Sequence, residues 1–303
     1  MTSFSVPRAS GPLVTLTRGA LQFIVAPEAG ARFVSFTADG RDILRTASPQ
    51  GLNTGTCYEY GGFPLVPYSG PIFGDGFRFG GEFHALGRTV PEEPTATHGE
   101  GWIRPWQILR QDAAALRLQF DHVPRPDAFP FGYRGVVDFS LEAEKLVIDI
   151  ELICRHHRPM PAGIGIHPYF PKPAGTALRF DATGLWPPDS PEAVEQGCGP
   201  LEAGLDFRNG QDVSAIVFDR CFEGWDGLAE LSYPDGHRTR IEAEGALTRL
   251  QIYDAWHYPY IYVEPVSNAN DGFNRMALGV PGHGVQVLEP GQSLSGRMSI
   301  TPL

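Results

Sequence analysis

Short apolar runs of strand length recur from one end of this sequence to the other, parted by turn-forming residues, and they restrict its fold more than any other feature. Leu13 to Thr17, Leu21 to Ala26, Arg32 to Thr37, Leu116 to Phe120, Val136 to Leu141, Leu146 to Ile153, Ala215 to Phe218, Ile261 to Val263 and Val285 to Leu288 alternate in polarity or are rich in β-branched residues. That pattern belongs to pleated segments whose successive side chains face opposite ways. Between them stand Ala38-Asp39-Gly40, Pro234-Asp235-Gly236 and Pro290-Gly291, residues that preset φ or tolerate positive φ and so reverse the chain. No amphipathic helical stretch exceeds about a dozen residues, although Ala193 and its neighbours could form a turn or two. Hairpins and antiparallel sheets follow.

A chain of 303 residues suits one large all-β domain or two ordinary ones. No composition break, Ser/Gly linker or short-period repeat divides it, so the expectation is an all-β protein, a single large antiparallel β-sandwich spanning residues 1–303. With 42% hydrophobic residues, the 36 Gly and 28 Pro indicate many turns in a packed chain rather than disorder. Pro64 to Pro94 and Gly184 to Gly210 carry few strand signals and are expected to be long connections decorating the sandwich, where sites commonly lie.

Charge and cysteine usage narrow the partners. A formal net charge of -11 without a basic run argues against nucleic acid and anionic membranes, which recruit clustered Lys and Arg. Neutral small-molecule ligands remain compatible. No apolar run reaches membrane-spanning length, and Met1 to Arg8 lacks the basic-then-apolar pattern of a secretion signal. Cys57, Cys154, Cys198 and Cys221 are scattered without a C-x-x-C pair, so neither a zinc knuckle nor a disulfide framework is expected. These features fit a reduced, cytoplasmic setting, and the oligomeric state is left open.

Candidate chemistry lies in three places. Gly165-Ile166-His167-Pro168-Tyr169-Phe170 puts a histidine at the end of an apolar segment. A strand ending there would present His167 at a sheet rim, suited to donate and accept protons; the alternative is a core histidine satisfied by a carbonyl. Ile261-Tyr262-Val263-Glu264-Pro265 ends a strand-like run in a glutamate, either capped by backbone donors or aimed into a cleft, where burial would raise its pKa toward that of a general base. His98 lies beside glycines in a loop, followed by Trp102 and Trp106. It is either a solvated side chain or a ligand contact, with Trp102 offering a flat face to a sugar ring. Cys154-Arg155-His156-His157-Arg158 reads as an exposed turn without a third metal ligand of suitable spacing. Gly74-Asp75-Gly76 and Gly80-Gly81 lack the Lys and helix of a phosphate loop and read as hairpin turns.

Taken in order, Gly62-Phe63-Pro64-Leu65-Val66-Pro67-Tyr68, His98-Gly99, Gly165 to Phe170, Asp219-Arg220-Cys221-Phe222 and Val263-Glu264-Pro265 resemble the aldose 1-epimerase, or galactose mutarotase-like, family in its bacterial branch. The resemblance covers nearly the whole chain. It implies a large mutarotase-type sandwich, a site on its concave face that needs no cofactor, and interconversion of the α and β anomers of a free aldose. Glu264 then matches the general base, His167 the general acid, His98 a second site histidine holding sugar oxygens, and Asp219 an acceptor for sugar hydroxyls. By its own chemistry Asp219 reads as a turn residue capping its backbone, and only the family match promotes it to a site residue.

One departure stands out. Many bacterial relatives carry Asn-Arg-Ile after this Pro-Tyr segment, whereas here Gly70 and Pro71 follow, and neither can replace an arginine fork. Arg78 or Arg104 is expected to reach in if the missing donor is supplied. The rivals to an anomer-exchanging enzyme are a non-catalytic sugar-binding or sensory protein on the same scaffold and an epimerase of a phosphorylated sugar.

Overall fold

The computed structural model describes residues 10–214, 216–254 and 258–303. Two antiparallel sheets pack face to face. In the ten-stranded sheet the spatial order is Val14–Arg18, Leu21–Ala26, Arg32–Ala38, Gly62–Leu65, Gly165–Pro171, Tyr260–Val266, Arg249–Asp254, Phe218–Glu223 and Gly184–Leu185, with Arg41–Asp42 paired on Arg32–Ala38. The nine-stranded sheet runs Gln107–Gln111, Ala115–His122, Tyr133–Leu141, Leu146–Cys154, Ser293–Pro302, Arg238–Gly245, Leu228–Ser232, Ala177–Phe180 and Gln211–Asp212. This is the expected all-β sandwich. The run expected from Ala215 is a strand only from Phe218, and Ala215 itself lies outside the described residues.

Period-two alternation sorts the side chains between two cores. Ile166, Phe170, Ile261, Val263, Leu250, Ile252 and Phe222 point inward and are fully buried, meeting the other sheet through contacts such as Phe23 and Phe33 against Phe139, with ring centroids 5.3 and 5.6 Å apart. Each such side chain stabilises the fold by about 1.5–3 kcal/mol on burial. Phe63, Leu65, Tyr169, Cys221 and Val266 face the other way and join Trp102 and Trp186 in a second, smaller core. That second core exists because loops roof the outer face of the ten-stranded sheet.

The Pro-rich connection holds more structure than expected. It contains Pro71–Ile72, which pairs with Ala96–Thr97, and a hairpin of Gly76–Phe79 with Glu82–Ala85 turned by Gly80-Gly81. These strands are too short to show a periodic signal, and Pro71–Ile72 is held by a partner distant in sequence. Between 184 and 210 the backbone is mostly irregular, with a short 3-10 turn at Pro191–Ala193. The histidine pair at 156 and 157 occupies a bend after Cys154. Among the described residues no group of three His, Cys, Asp or Glu is arranged to hold a metal ion, and no helix is long and apolar enough to cross a membrane.

Candidate active site

His167 and Glu264 do not lie at strand ends. Their strands run on through Pro168 to Pro171 and through Pro265 to Val266, so the expected rim positions become central ones. Pairing between these neighbours is made at Gly165 with Val266 and at Tyr169 with Tyr262, but not between. Both prolines fall in that gap, where a missing N–H interrupts no ladder bond. The same register sets His167 opposite Glu264. Phe63 is paired with His167 on one side, and Gln251 with Glu264 and then Cys221 on the other. Cross-strand partners share a face, so Phe63, His167, Glu264, Gln251 and Cys221 form one row on the outer face.

Within that row His167 Nε2 is 3.3 Å from Glu264 Oε1. The residues are 5% and 2% exposed, yet His167 Nδ1 and Glu264 Oε2 have no hydrogen-bond partner, which is unusual for buried polar atoms away from a functional site. Burial, then the neighbouring His98, holds His167 well below the usual imidazole range. Burial, then Asp219 and Asp189, raises Glu264 well above the usual carboxylate range. Each residue is thus pushed toward its neutral form, and the pair holds one proton that two nearby atoms can share.

His98 is placed by an unusual backbone. Its φ of 61° is left-handed, a conformation that costs about 1–2 kcal/mol for a side-chain-bearing residue. The Trp102 indole N–H steadies the turn by donating to the carbonyls of Thr97 and Gly99 at 3.3 and 3.1 Å. His98 N–H donates to Gly70 O at 3.0 Å, and Gly70 N–H donates to His98 Nδ1, also at 3.0 Å. An accepting Nδ1 leaves the ring proton on Nε2. Burial pushes the His98 pKa down to about 3, so this imidazole is a neutral donor. Its centroid lies 5.2 Å from that of His167, edge to face.

Trp102 has a different task from the one expected. It is fully buried, so it has no face to offer a sugar. It stacks on Phe63 at 4.8 Å, and Phe63 packs against His167 at 4.7 Å. The indole therefore backs the ring that backs the histidine. Trp106 belongs to the core between the sheets.

Asp219 is not part of this row: it lies within a strand and is paired with Tyr253, so the turn-cap alternative is excluded. It accepts a hydrogen bond from Gln251 Nε2, and Gln251 Oε1 accepts one from Asn270 Nδ2 at 3.2 Å. Asn270 Nδ2 also donates to Asp189 Oδ2 at 2.7 Å. Asp219 opens to the cleft, but its partly desolvated surroundings and the nearby Asp189 raise its pKa to about 7, against the lowering effect of Gln251. A parallel row of Tyr169, Tyr262 and Tyr253 stacks alongside, with centroids 4.2 and 5.0 Å apart.

The two arginines considered as substitutes are placed by partners outside these rows. Arg78 lies over the Phe83 ring of its own hairpin at 5.8 Å. Arg104 is 3.7 Å from Glu100, which also meets His122 and Arg125. What occupies the space beside Gly70 is Asn270: a Cβ at Gly70 would stand 2.0 Å from Asn270 Oδ1. Sequence reasoning did not find Asn270, Gln251, Asp189 or Phe63. Polar residues facing the floor of a strand could have flagged Gln251, but nothing marks Asp189 inside its proline-rich loop.

The protein is thus an antiparallel sandwich with a buried imidazole–carboxylate pair and neighbouring polar side chains on one outer face. The aldose 1-epimerase sequence profile matches residues 12–301, and the chain belongs to that family. The uncharacterized Escherichia coli K12 protein YphB is 26% identical over 297 residues, covering 95% of this chain and 98% of its own. A crystal structure from Escherichia coli K12, described as a candidate aldose 1-epimerase, superposes with a TM-score of 0.84 at 25% identity, covering 96% of this chain and 99% of the other. The galactose 1-epimerase of Lactobacillus acidophilus shares the fold, with a TM-score of 0.74 at 16% identity over 96% of this chain and 98% of its own.

Proposed function

We propose that this protein exchanges the α and β anomers of a free aldose by opening and reclosing its hemiacetal ring. With the proton they share resting on His167, Glu264 as carboxylate takes the proton of the anomeric hydroxyl while His167 as imidazolium gives a proton to the ring oxygen. The bond from C1 to the ring oxygen breaks and the anomeric oxygen becomes a carbonyl. Rotation about C1–C2 exposes the other carbonyl face, and reclosure returns both protons, so the pair ends as it began. Each group is expected to contribute about a hundred- to ten-thousandfold. His98, as a neutral Nε2 donor, binds a sugar oxygen, and Asp219 accepts from a hydroxyl.

The observation that carries this reading is the 3.3 Å approach of His167 Nε2 to Glu264 Oε1 in a buried row, with Nδ1 and Oε2 unpartnered. The test is anomer exchange in free aldoses followed by saturation-transfer NMR, comparing wild type with Glu264→Gln. Exchange lost in the variant supports the reading. Sugar binding without exchange in wild type would make the protein a non-catalytic binder, and exchange only of phosphorylated sugars would change the substrate.

A further inference from the structure

The side of the site away from His98 is rich in acceptors, and among the described residues neither Asp189 nor Asp219 is held in a salt bridge. Gln251 and Asn270, 6% and 7% exposed, form an amide ladder with Asp219 at one end and Asp189 at the other. The ladder uses Oδ1 of Asp219 and Oδ2 of Asp189, leaving the second oxygen of each for another donor. Beside them, Glu264 Oε2 is buried without a partner. The arginines nearest Asp189 are engaged elsewhere. Arg275 donates to the carbonyls of Asn270 at 2.9 Å, of Ala193 and Val194 at 3.2 Å, and of Gln196, with its guanidinium 5.0 Å from the Trp186 ring centroid. Arg220 donates to Trp186 O at 3.1 Å and to Glu202. His98 and His167 are held toward neutrality by burial.

We propose that Asp189 is a specificity-determining residue and that the aldose taken at this site carries a protonated amine, received against Asp189 and Asp219. This deepens the anomer-exchange reading and rests on it. An ammonium brings three donors and one positive charge to carboxylates that otherwise face one another across two amides. Its charge-assisted hydrogen bonds are about twice as strong as those of a hydroxyl. A phosphate or carboxylate substituent would meet the same oxygens with like charge. The upward shifts of Asp189 and Asp219, caused first by burial, are those of carboxylates short of a counterion, and a ligand ammonium would reverse them.

The wild-type protein is given a neutral aldohexose, its 2-amino-2-deoxy and 6-amino-6-deoxy counterparts, the hexuronic acid and the hexose 6-phosphate near neutral pH. Saturation-transfer NMR then yields kcat/KM for anomer exchange. One amino sugar is expected to exceed the neutral hexose by about tenfold, with both anions below it, and Asp189→Asn to remove that preference. A wild-type ratio of one or less, or a preference that Asp189→Asn leaves intact, overturns the proposal. The matching 1,5-anhydro sugars lack an anomeric hydroxyl and report binding alone. If no aldose exchanges but the amino anhydro sugar binds more tightly through Asp189, the anomer-exchange reading falls and the specificity stands. Exchange without an Asp189-dependent preference has the opposite meaning.

Discussion

The outer faces of the two sheets are built on the same pleat and carry similar residue types, but they do different things. On the nine-stranded sheet charges meet across strands in water: Arg117 with Asp138 at 3.6 Å, Arg134 with Asp121 at 2.7 Å, Arg297 with Asp149 at 2.7 Å and Arg238 with Glu230 at 3.3 Å. Such exposed pairs are each worth about 0–1 kcal/mol and weaken in salt. On the ten-stranded sheet Glu264 is buried, Asp189 is half-buried in a loop and Asp219 opens to the cleft, and their neighbours include amides, tyrosines and neutral imidazoles. Desolvation raises their proton affinities, and at Asp189 it outweighs the lowering by Asn270, Arg275 and Arg220. A partial roof turns a solubilising sheet face into one whose carboxylates hold protons more readily, which suits the proton transfer proposed for it.

The largest effect expected of this contrast is in Glu264→Gln and His167→Asn, each of which should lower anomer exchange by about a hundredfold or more. Melting temperatures should change little, because the shapes are preserved. Losses under about tenfold in both would break the assignment of proton transfer to this face. Next in size is Gly70→Ala. Its methyl would enter a backbone at φ 77° only 2.0 Å from Asn270 Oδ1, disturbing both Asn270 and the Gly70–His98 bonds. A KM increase of about tenfold is expected, matched by His98→Asn, and unchanged sugar affinity in both variants would remove His98 from the binding site.

A smaller effect is expected from pH. Asp219, with a pKa raised to about 7, accepts hydroxyl hydrogen bonds better when ionised, so KM should fall as pH rises through about 7, and Asp219→Asn should flatten that dependence. For stability the sign is opposite: a folded pKa above the unfolded value makes the folded state hold the extra proton between the two, so stability declines as pH rises through that window. A KM that rises with pH in wild type and not in Asp219→Asn would contradict the acceptor role. The smallest effect belongs to the other sheet. Arg297→Ala should leave anomer exchange unchanged and shift stability by no more than about 1 kcal/mol, less at high salt. A marked loss of activity there would mean that the two faces are not functionally separate.

Much of this molecule is written locally. The strand at Leu21 to Ala26 has the boundaries its alternation predicts, and most others differ by a few residues at their ends. His167 and Glu264 are conspicuous as polar residues set in apolar runs before proline, although each strand continues past that proline because the gap in pairing tolerates it. Trp102 is legible as an aromatic near a histidine, but burial beneath Phe63 is not, since it depends on a strand and a loop that meet only in space. The sequence by itself determined the all-β character, the alternation that divides inward from outward residues and the two residues of the proposed acid–base pair. Only the tertiary structure decided that residues 63, 167, 264, 251 and 221 form one row, that Asn270 fills the space beside Gly70, and that Asp189 reaches the same cleft. Those facts come from pairing strands and loops far apart in the chain, whose register is set by the packing of whole sheets rather than by any residue's neighbours in sequence.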